Sequence, residues 1–241
     1  MKTKYIIALA LIIVGALAID YFIGTSYPEE EFQFTGLPTF DTDEHSYRFF
    51  RTGEEVGSFK FTIKNLGTNY LMTSRIEVSS EGNQLLLESS YIFNMNYLPE
   101  DYNLNVTESD DKTVININFN NNTITTKVTA LGETVEIEEE IEEEPFVIEN
   151  SMPSFWEVLI RSSNLEQGKR YNLEVFVPQS ARIVPITLLV EREKENINLD
   201  GISYECIVVK ESQMELSFYM YEGKLILYRD ARQDTQIRKV L

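Results

Sequence analysis

Alternation of apolar and polar residues dominates this chain and predicts a protein built mainly from β-strands. Phe59 and Phe61 alternate with polar neighbours, and Ile115, Ile117 and Phe119 alternate with three asparagines. Successive side chains on a strand point to opposite faces, so each run has one dry and one solvated face. Similar runs end at Gly, Asn and Asp turns, which favours antiparallel hairpins. The predicted strands cover residues 58–64, 70–78, 85–93, 113–119, 123–130, 171–177, 183–190, 202–209, 216–221, 225–228 and 236–241.

One segment with helical spacing interrupts the strands. Pro153 suits the first turn of a helix, and Ser154 with Glu157 matches a capping box. Phe155 and Leu159 are four residues apart and therefore share a helix face. Because so short a helix is unstable alone, its aromatic face is predicted to dock against a sheet. The predicted fold class is mainly β, with antiparallel curved sheets, half-barrel or sandwich-like, and one short helix.

The first 24 residues predict a membrane anchor or a signal sequence. Lys2 and Lys4 precede an apolar run that extends from Tyr5 to Ile23 and that only Asp20 interrupts. About 20 apolar residues are the length that an α-helix needs to cross a bilayer core. We therefore expect a single-pass protein of the cell membrane whose C-terminal domain lies outside the cytoplasm. Cleavage after Ala18 is the alternative, and it would give a secreted or periplasmic protein.

The composition of the next segment predicts a linker followed by one domain. Residues 25–52 are acidic and contain Pro28, Gly36 and Pro38, which suits a tether. The strand pattern begins near Gly53, so residues 53–241 are predicted to form one extracytoplasmic β domain. That length is enough to bury a substantial core.

Charge and the scarcity of reactive residues narrow the function. A formal net charge of -18 argues against a nucleic-acid partner, because phosphate binding depends on Lys and Arg. Cys206 is the only cysteine and is predicted to be a buried, inert thiol. His45, the only histidine, is predicted to lie on the surface of the tether. With no hydrolase or zinc-site motif, we expect no catalytic residue, no metal, no cofactor and no enzymatic activity.

A dense run of glutamates at residues 136–144 is the most conspicuous local feature. We predict a solvated edge strand or connector there, with only Val135, Ile137 and Ile141 touching the core. A hard cation such as calcium is the alternative, although consecutive glutamates point apart and do not converge on one ion.

Asn105 and Asn121 each begin an Asn-X-Thr glycan acceptor pattern. Both are predicted to lie in loops of an exported domain, where the pattern is accessible. It has a consequence only in a host that carries the transferase.

Five short motifs lie in order along the predicted domain: Glu55-Val56-Gly57, Tyr97-Leu98-Pro99-Glu100-Asp101-Tyr102, Gly168-Lys169-Arg170-Tyr171, Asp200-Gly201-Ile202-Ser203-Tyr204 and Glu222-Gly223-Lys224-Leu225. Through them the chain from Gly53 onward resembles a family of exported bacterial domains of unknown function whose members look like open half-barrels. That family is similar in architecture to the envelope lipoprotein carriers, in which a curved sheet covered by a helix can cradle acyl chains. The predicted protein anchor departs from those carriers and argues against shuttling between membranes.

The aromatic content completes the functional hypothesis. The chain has 14 Phe and 13 Tyr, so a cleft left by the curved sheet would have an apolar lining. We predict ligand contacts at Phe155, Trp156 and Leu159, and Arg170 at the mouth for an acidic head group. The expected function is a membrane-anchored, non-enzymatic binding module of the cell envelope that holds an apolar or amphiphilic ligand. The alternative is an envelope structural or protein-interaction module with a filled core, and either a lipid or an envelope protein is the expected partner.

Overall fold

A computed structural model describes residues 27–37, 41–80, 83–109, 111–120, 122–149 and 152–240, without the side chain of residue 80. The predicted anchor at residues 1–24 and the predicted acceptor Asn121 lie outside the described residues. Within the described ranges, no helix is both long enough and apolar enough to cross a membrane.

These residues form sixteen strands and one α-helix. The strands are β1 (Thr42–Arg51), β2 (Glu54–Asn65), β3 (Asn69–Ser80), β4 (Asn83–Asn94), β5 (Pro99–Glu108), β6 (Asp111–Asn120), β7 (Thr123–Ala130), β8 (Glu133–Glu140), β9 (Phe146–Val147), β10 (Arg170–Val177), β11 (Arg182–Val190), β12 (Glu195–Leu199), β13 (Ile202–Glu211), β14 (Leu216–Tyr221), β15 (Lys224–Asp230) and β16 (Thr235–Lys239). The helix, α1, is Pro153–Arg161.

All the strands belong to one open sheet. Its order is β8-β7-β6-β5-β4-β3-β2-β1-β16-β15-β14-β13-β11-β10-β9, and β12 pairs with β13 beside this path. Strand β9 runs parallel to β10, and the other pairs are antiparallel. Strand β1 joins the two halves of the sheet because it pairs with β2 on one side and with β16 on the other. Strands β8 and β9 are the two edges.

A glycine allows the sheet to bend at its middle. Gly57 on β2 pairs with Phe49 on β1 and with Val78 on β3. A Cβ atom at Gly57 would lie 1.9 Å from the backbone oxygen of Glu77, a distance that no real side chain can occupy. Strand β1 also carries a bulge between Phe49 and Phe50, and bulges increase local twist. The close approach of β2 and β3 therefore requires a residue without a side chain.

The bent sheet wraps around α1, which lies within its concave face. Phe155 contacts Tyr91 on β4, with ring centroids 5.1 Å apart, whereas Trp156 stacks on Phe218 of β14 at 4.9 Å. All helix residues from 153 to 160 are buried. Because the helix touches both halves of the sheet, its burial holds the half-barrel together.

The predicted capping box does not form. Met152 is the N-cap residue and makes no side-chain capping bond. The hydroxyl of Ser154 contacts the hydroxyl of Ser74 on β3 at 2.8 Å, and the Glu157 carboxylate turns toward β1. Both side chains satisfy tertiary partners, so neither is free to cap the backbone.

The fold begins earlier than the sequence pattern predicts. The sequence predicts a tether at residues 25–52, but residues 42–51 form β1 at the centre of the sheet. Residues 27–37 also lie against the domain, where Glu29 and Phe34 form bridges to Arg170 and Ser163. The tether prediction is therefore wrong for these residues. Charged and polar residues at 41–48 hid the alternation that places every second side chain of β1 in the core.

Each predicted strand overlaps an observed one, and the prediction of a mainly β fold with a curved sheet and one short helix is confirmed. Of the two architectures that the sequence leaves open, half-barrel or sandwich-like, the structure has one curved, open sheet. Besides β1, strands β5, β9 and β12 are absent from the prediction. Asn105 consequently lies inside β5 and not in a loop. Cys206 is fully buried as predicted, and burial raises the pKa of its thiol to about 11.

The glutamate run forms the edge strand β8 and the connector after it. Ile141 is buried, but Val135 and Ile137 are 58% and 43% exposed, so the prediction that they touch the core is wrong. Val135 and Ile137 pair with Val128 and Thr126 of β7, and their exposure follows from the position of β8 at the edge of the sheet.

Candidate functional site

A cluster of charged and polar side chains lies between α1 and β1. The two ring nitrogens of His45 lie 3.0 Å from Asp43 Oδ1 and 3.2 Å from Glu157 Oε1. Tyr47 donates its hydroxyl hydrogen to Glu157 Oε2 at 2.5 Å. Arg161 donates to Asp43 Oδ2 at 2.8 Å and lies 3.8 Å from Glu157 Oε1. The helix is therefore joined to the central strand by a continuous polar network.

The network is buried, because His45 and Tyr47 are 3% and 1% exposed and Glu157 is fully enclosed. Burial, and then the neighbouring Glu157 carboxylate, raise the pKa of the Tyr47 hydroxyl well above its ordinary value. The tyrosine therefore stays protonated and keeps donating. His45 also stacks on Phe61 with ring centroids 4.4 Å apart. The expected surface position of His45 is wrong, and the cluster orients the helix inside the sheet.

The pKa of Asp43 is lowered from its ordinary value of 3.8. Burial is the largest single influence and acts to raise the pKa, but the hydrogen bonds and the charges of His45 and Arg161 together outweigh it. A carboxyl group with a lowered pKa stabilises the fold fully above its unfolded pKa and loses that contribution as the pH falls through the folded value.

We expect Asp43→Asn to cost more stability near pH 6 than near pH 3, because the unfolded carboxyl is largely protonated at the lower pH and the stabilisation from the lowered pKa is then being lost. Urea unfolding of both chains at the two pH values measures this difference. An equal cost at both values would show that the Asp43 charge does not stabilise the fold.

A cleft of about 390 Å³ occupies the end of the concave face that α1 leaves uncovered. Asp43, at the start of β1, contacts the end of the helix, whereas Arg51, at the end of β1, lines the cleft. The apolar lining comes from both halves of the sheet: Phe49, Ile76, Val78, Leu85, Leu87, Tyr228 and Ile237. Burial raises the pKa of the Tyr228 hydroxyl, which therefore stays neutral.

Polar groups lie toward the ends of the lining strands. Arg51 pairs with Thr235 on β16, and Thr235 pairs with Asp230 on β15, so these three residues form one cross-strand row. Glu108 lines the cleft from β5 on the other half of the sheet. Asp230 Oδ1 accepts the backbone N–H groups of residues 232 and 233 at 3.0 and 3.1 Å, which fixes the turn at the mouth. The cleft therefore combines an apolar interior with charges of both signs.

The predicted ligand contacts do not line this cleft. Phe155, Trp156 and Leu159 are fully buried in the packing of α1. Arg170 lies at the start of β10, where its guanidinium donates to Glu29 at 2.7 Å. The structure brings the three helix residues together in the core and places Arg170 apart from them.

Local sequence patterns do not identify the residues that line the cleft. They predict that Val78 and Leu85 lie on strands, but the convergence of these residues on Tyr228 depends on β1 pairing with β16. That pairing joins strands about 190 residues apart in sequence, and no local pattern reports it. The alternation Asp43, His45, Tyr47 was a usable signal for the polar cluster, had β1 been recognised.

No group of three or more His, Cys, Asp or Glu side chains in the described ranges is arranged to hold a metal ion. The glutamates of residues 136–144 all lie in these ranges, so they form no such group with other described residues.

A family model described as a protein of unknown function (DUF3108) matches residues 45–238. The chain belongs to this family. The match begins within β1 and ends within β16, so it covers the two strands that join the halves of the sheet. The predicted membership of a domain family of unknown function is confirmed.

No curated protein matches the chain. Among solved structures, the chain is similar to the crystal structure of a DUF1089 family protein from Pseudomonas aeruginosa. The two share 7% sequence identity over 78% of this chain and 89% of that chain, with a TM-score of 0.39.

Proposed function

We propose that this DUF3108 protein is a membrane-anchored binding module of the cell envelope that holds an apolar or amphiphilic ligand in its cleft and catalyses no reaction. The observation that carries the proposal is the cleft at the open end of the half-barrel, in which apolar and aromatic side chains make up about half of the lining. Its volume of about 390 Å³ lies in the range of small-molecule sites, roughly 300–1,000 Å³.

The way the core is filled supports a ligand at this end. The helix occupies the concave face near Asp43 and His45, and the aromatic side chains there pack against one another. At the other end, the facing side chains of Phe49, Val78 and Tyr228 line open space. An apolar chain placed there would remove their remaining surface from water, which stabilises the bound state.

The proposed location rests on the sequence before the described residues. The apolar run at residues 1–24 has the length of a membrane span, and residue 27 already contacts the domain through Tyr27 and Glu191. Only a short connection would then separate the bilayer from the folded domain. A ligand drawn from the membrane would have a short path to the protein.

Photo-crosslinking in cells tests the binding proposal. The full chain is produced with p-benzoylphenylalanine in place of Leu85, which lines the cleft, or of Leu86, its neighbour on the opposite face of β4. We expect the chain in the membrane fraction and a lipid-sized adduct at position 85 but not at 86. The adduct is identified by mass spectrometry of the proteolysed protein. Equal labelling at both positions, or none at 85, would contradict the proposal.

A cleft-filling variant provides the matched control. Val78 pairs directly with Leu85, so Val78→Trp places an indole in the space that the ligand would occupy. We expect this change to remove most of the adduct at position 85. Circular dichroism checks that the variant is folded. If it is not, the comparison of positions 85 and 86 still tests the proposal.

One observation favours a second candidate, a protein-interaction module. Among the described residues, no strand pairs with the outer side of β8, and Val135 and Ile137 are exposed on this edge strand. An additional strand from a partner could pair there, with the exposed glutamates favouring a basic segment. Crosslinks from position 137 to a protein, with no adduct at 85, would favour this candidate.

A further inference from the structure

We infer that the ligand of the cleft is a zwitterionic amphiphile, whose head group carries one negative and one positive charge. The inference rests on the proposed function and adds the chemistry of the head group. It is carried by three charged side chains that share the cleft, Arg51, Glu108 and Asp230.

The positive and negative groups of the cleft are held apart by the sheet. Arg51 and Asp230 lie in one cross-strand row with Thr235 between them. Neighbouring strands are about 4.8 Å apart, so the two backbones are separated by roughly 10 Å. In the described part of the chain, neither Arg51, Asp230 nor Glu108 forms an ion pair with another side chain. The gap leaves room for an anionic group beside Arg51 and a cationic group beside the carboxylate.

The facing wall adds a second carboxylate. Glu108 on β5 pairs with Leu85, which pairs with Val78, so Glu108 borders the apolar lining on the half of the sheet opposite Asp230. Asp230 is almost fully buried, and one of its oxygens is already used by the turn. A cationic group that enters between the two walls would have a carboxylate on each side.

Head groups of a single charge type fit less well. A purely anionic head would meet two carboxylates and one guanidinium, on a protein whose formal net charge is -18. A purely cationic head would leave Arg51 facing a like charge. A neutral head would leave all three charges unpaired and would gain no charge contact from Arg51 and Glu108, which are both exposed to solvent. A phosphate combined with an ammonium group pairs all three residues.

Site-resolved photolabelling with matched probes tests the inference. The full chain, held in amphipol, is labelled with four dodecyl compounds that carry the same diazirine in the chain. Their head groups are phosphocholine, sulfate, trimethylammonium and maltoside. Mass spectrometry measures the label on the peptides that contain Ile76 to Leu87, relative to label elsewhere on the protein. We expect the phosphocholine probe to label these peptides about fivefold more than any of the other three.

Two charge variants identify the groups that set this preference. Arg51→Gln is expected to lower phosphocholine labelling about fivefold and to raise trimethylammonium labelling, because the guanidinium no longer repels that head. Glu108→Gln is expected to raise sulfate labelling. Asp230 is left unchanged because its carboxylate holds the turn at the mouth. Unchanged preferences in both variants would overturn the inference.

The outcomes separate this inference from the proposed function. Equal labelling of the cleft by all four probes would refute the zwitterionic head group while supporting an apolar site. Absence of cleft labelling by any probe would refute the proposed function itself. Soluble phosphocholine, added at the concentration of the probe, is expected not to compete. Full displacement of the probe by soluble phosphocholine would show that the site binds a free head group, and it would overturn the inference that the ligand is an amphiphile.

Discussion

Replacement of Glu157 by alanine is expected to lower the free energy of unfolding by roughly 3–5 kcal/mol. The carboxylate is fully buried and contacts His45, Tyr47 and Arg161. Its removal takes away the close acceptor of the Tyr47 hydroxyl, which then has only the Nδ1 atom of His45 at 3.4 Å, and removes one of the two carboxylates that face His45. Breaking a buried charged network is costly because the remaining groups were desolvated in the fold and are no longer paired.

Urea unfolding of the full chain measures this loss. Trp156 is the only tryptophan in the sequence and lies next to Glu157 on α1, so its fluorescence reports the integrity of the helix packing. Glu174→Ala, which removes an exposed carboxylate on β10, is the control and should change stability by less than about 0.5 kcal/mol. Glu157→Gln, which keeps an acceptor for Tyr47, is expected to fall between the two. A cost for Glu157→Ala no greater than that of the control would show that the network does not stabilise the fold.

The location of this network explains which strands local sequence patterns can predict and which they cannot. Period-two alternation identified the strands around Phe59 and Ile115, since each has one apolar and one polar face. The same rule failed on β1, where Asp43 and His45 occupy core-facing positions that the pattern assigns to apolar residues. Their burial is compensated by Glu157 and Arg161, which lie more than a hundred residues away in sequence. Only the folded chain shows that compensation.

The helix shows the same limit, because its position can be predicted from local signals but the partners of its side chains cannot. Its position and its buried aromatic face could be predicted because proline and the four-residue spacing are local signals. The roles of Ser154 and Glu157 could not, because a capping box and a tertiary hydrogen bond use the same residue types. The ligand residues were predicted on the helix for the same reason. An apolar cluster in sequence indicates burial, but the sheet topology decides which buried surface borders a cleft.

Replacement of Gly57 by alanine is expected to destabilise the protein by about 3 kcal/mol and to alter the cleft. The added methyl group would overlap the backbone oxygen of Glu77, so relief requires β2 and β3 to separate. A flexible side chain could rotate away from such a clash, but a strand backbone bound to its neighbours cannot. Gly57 pairs with Phe49 and Val78, both of which line the cleft, so any separation moves its walls.

The neighbouring Ser58→Ala change is the matched control, because it alters the opposite face of the same strand. We expect urea unfolding to give a small cost for Ser58→Ala and a large one for Gly57→Ala. The adduct at position 85 should also decrease in Gly57→Ala under conditions where the protein remains folded. Equal stability of the two variants would mean that the sheet can bend without the close approach at Gly57. Loss of stability with an unchanged adduct would show that ligand binding in the cleft does not depend on the bend at Gly57. The predicted result, a loss of both, follows because the residue that permits the bend also pairs with two walls of the site.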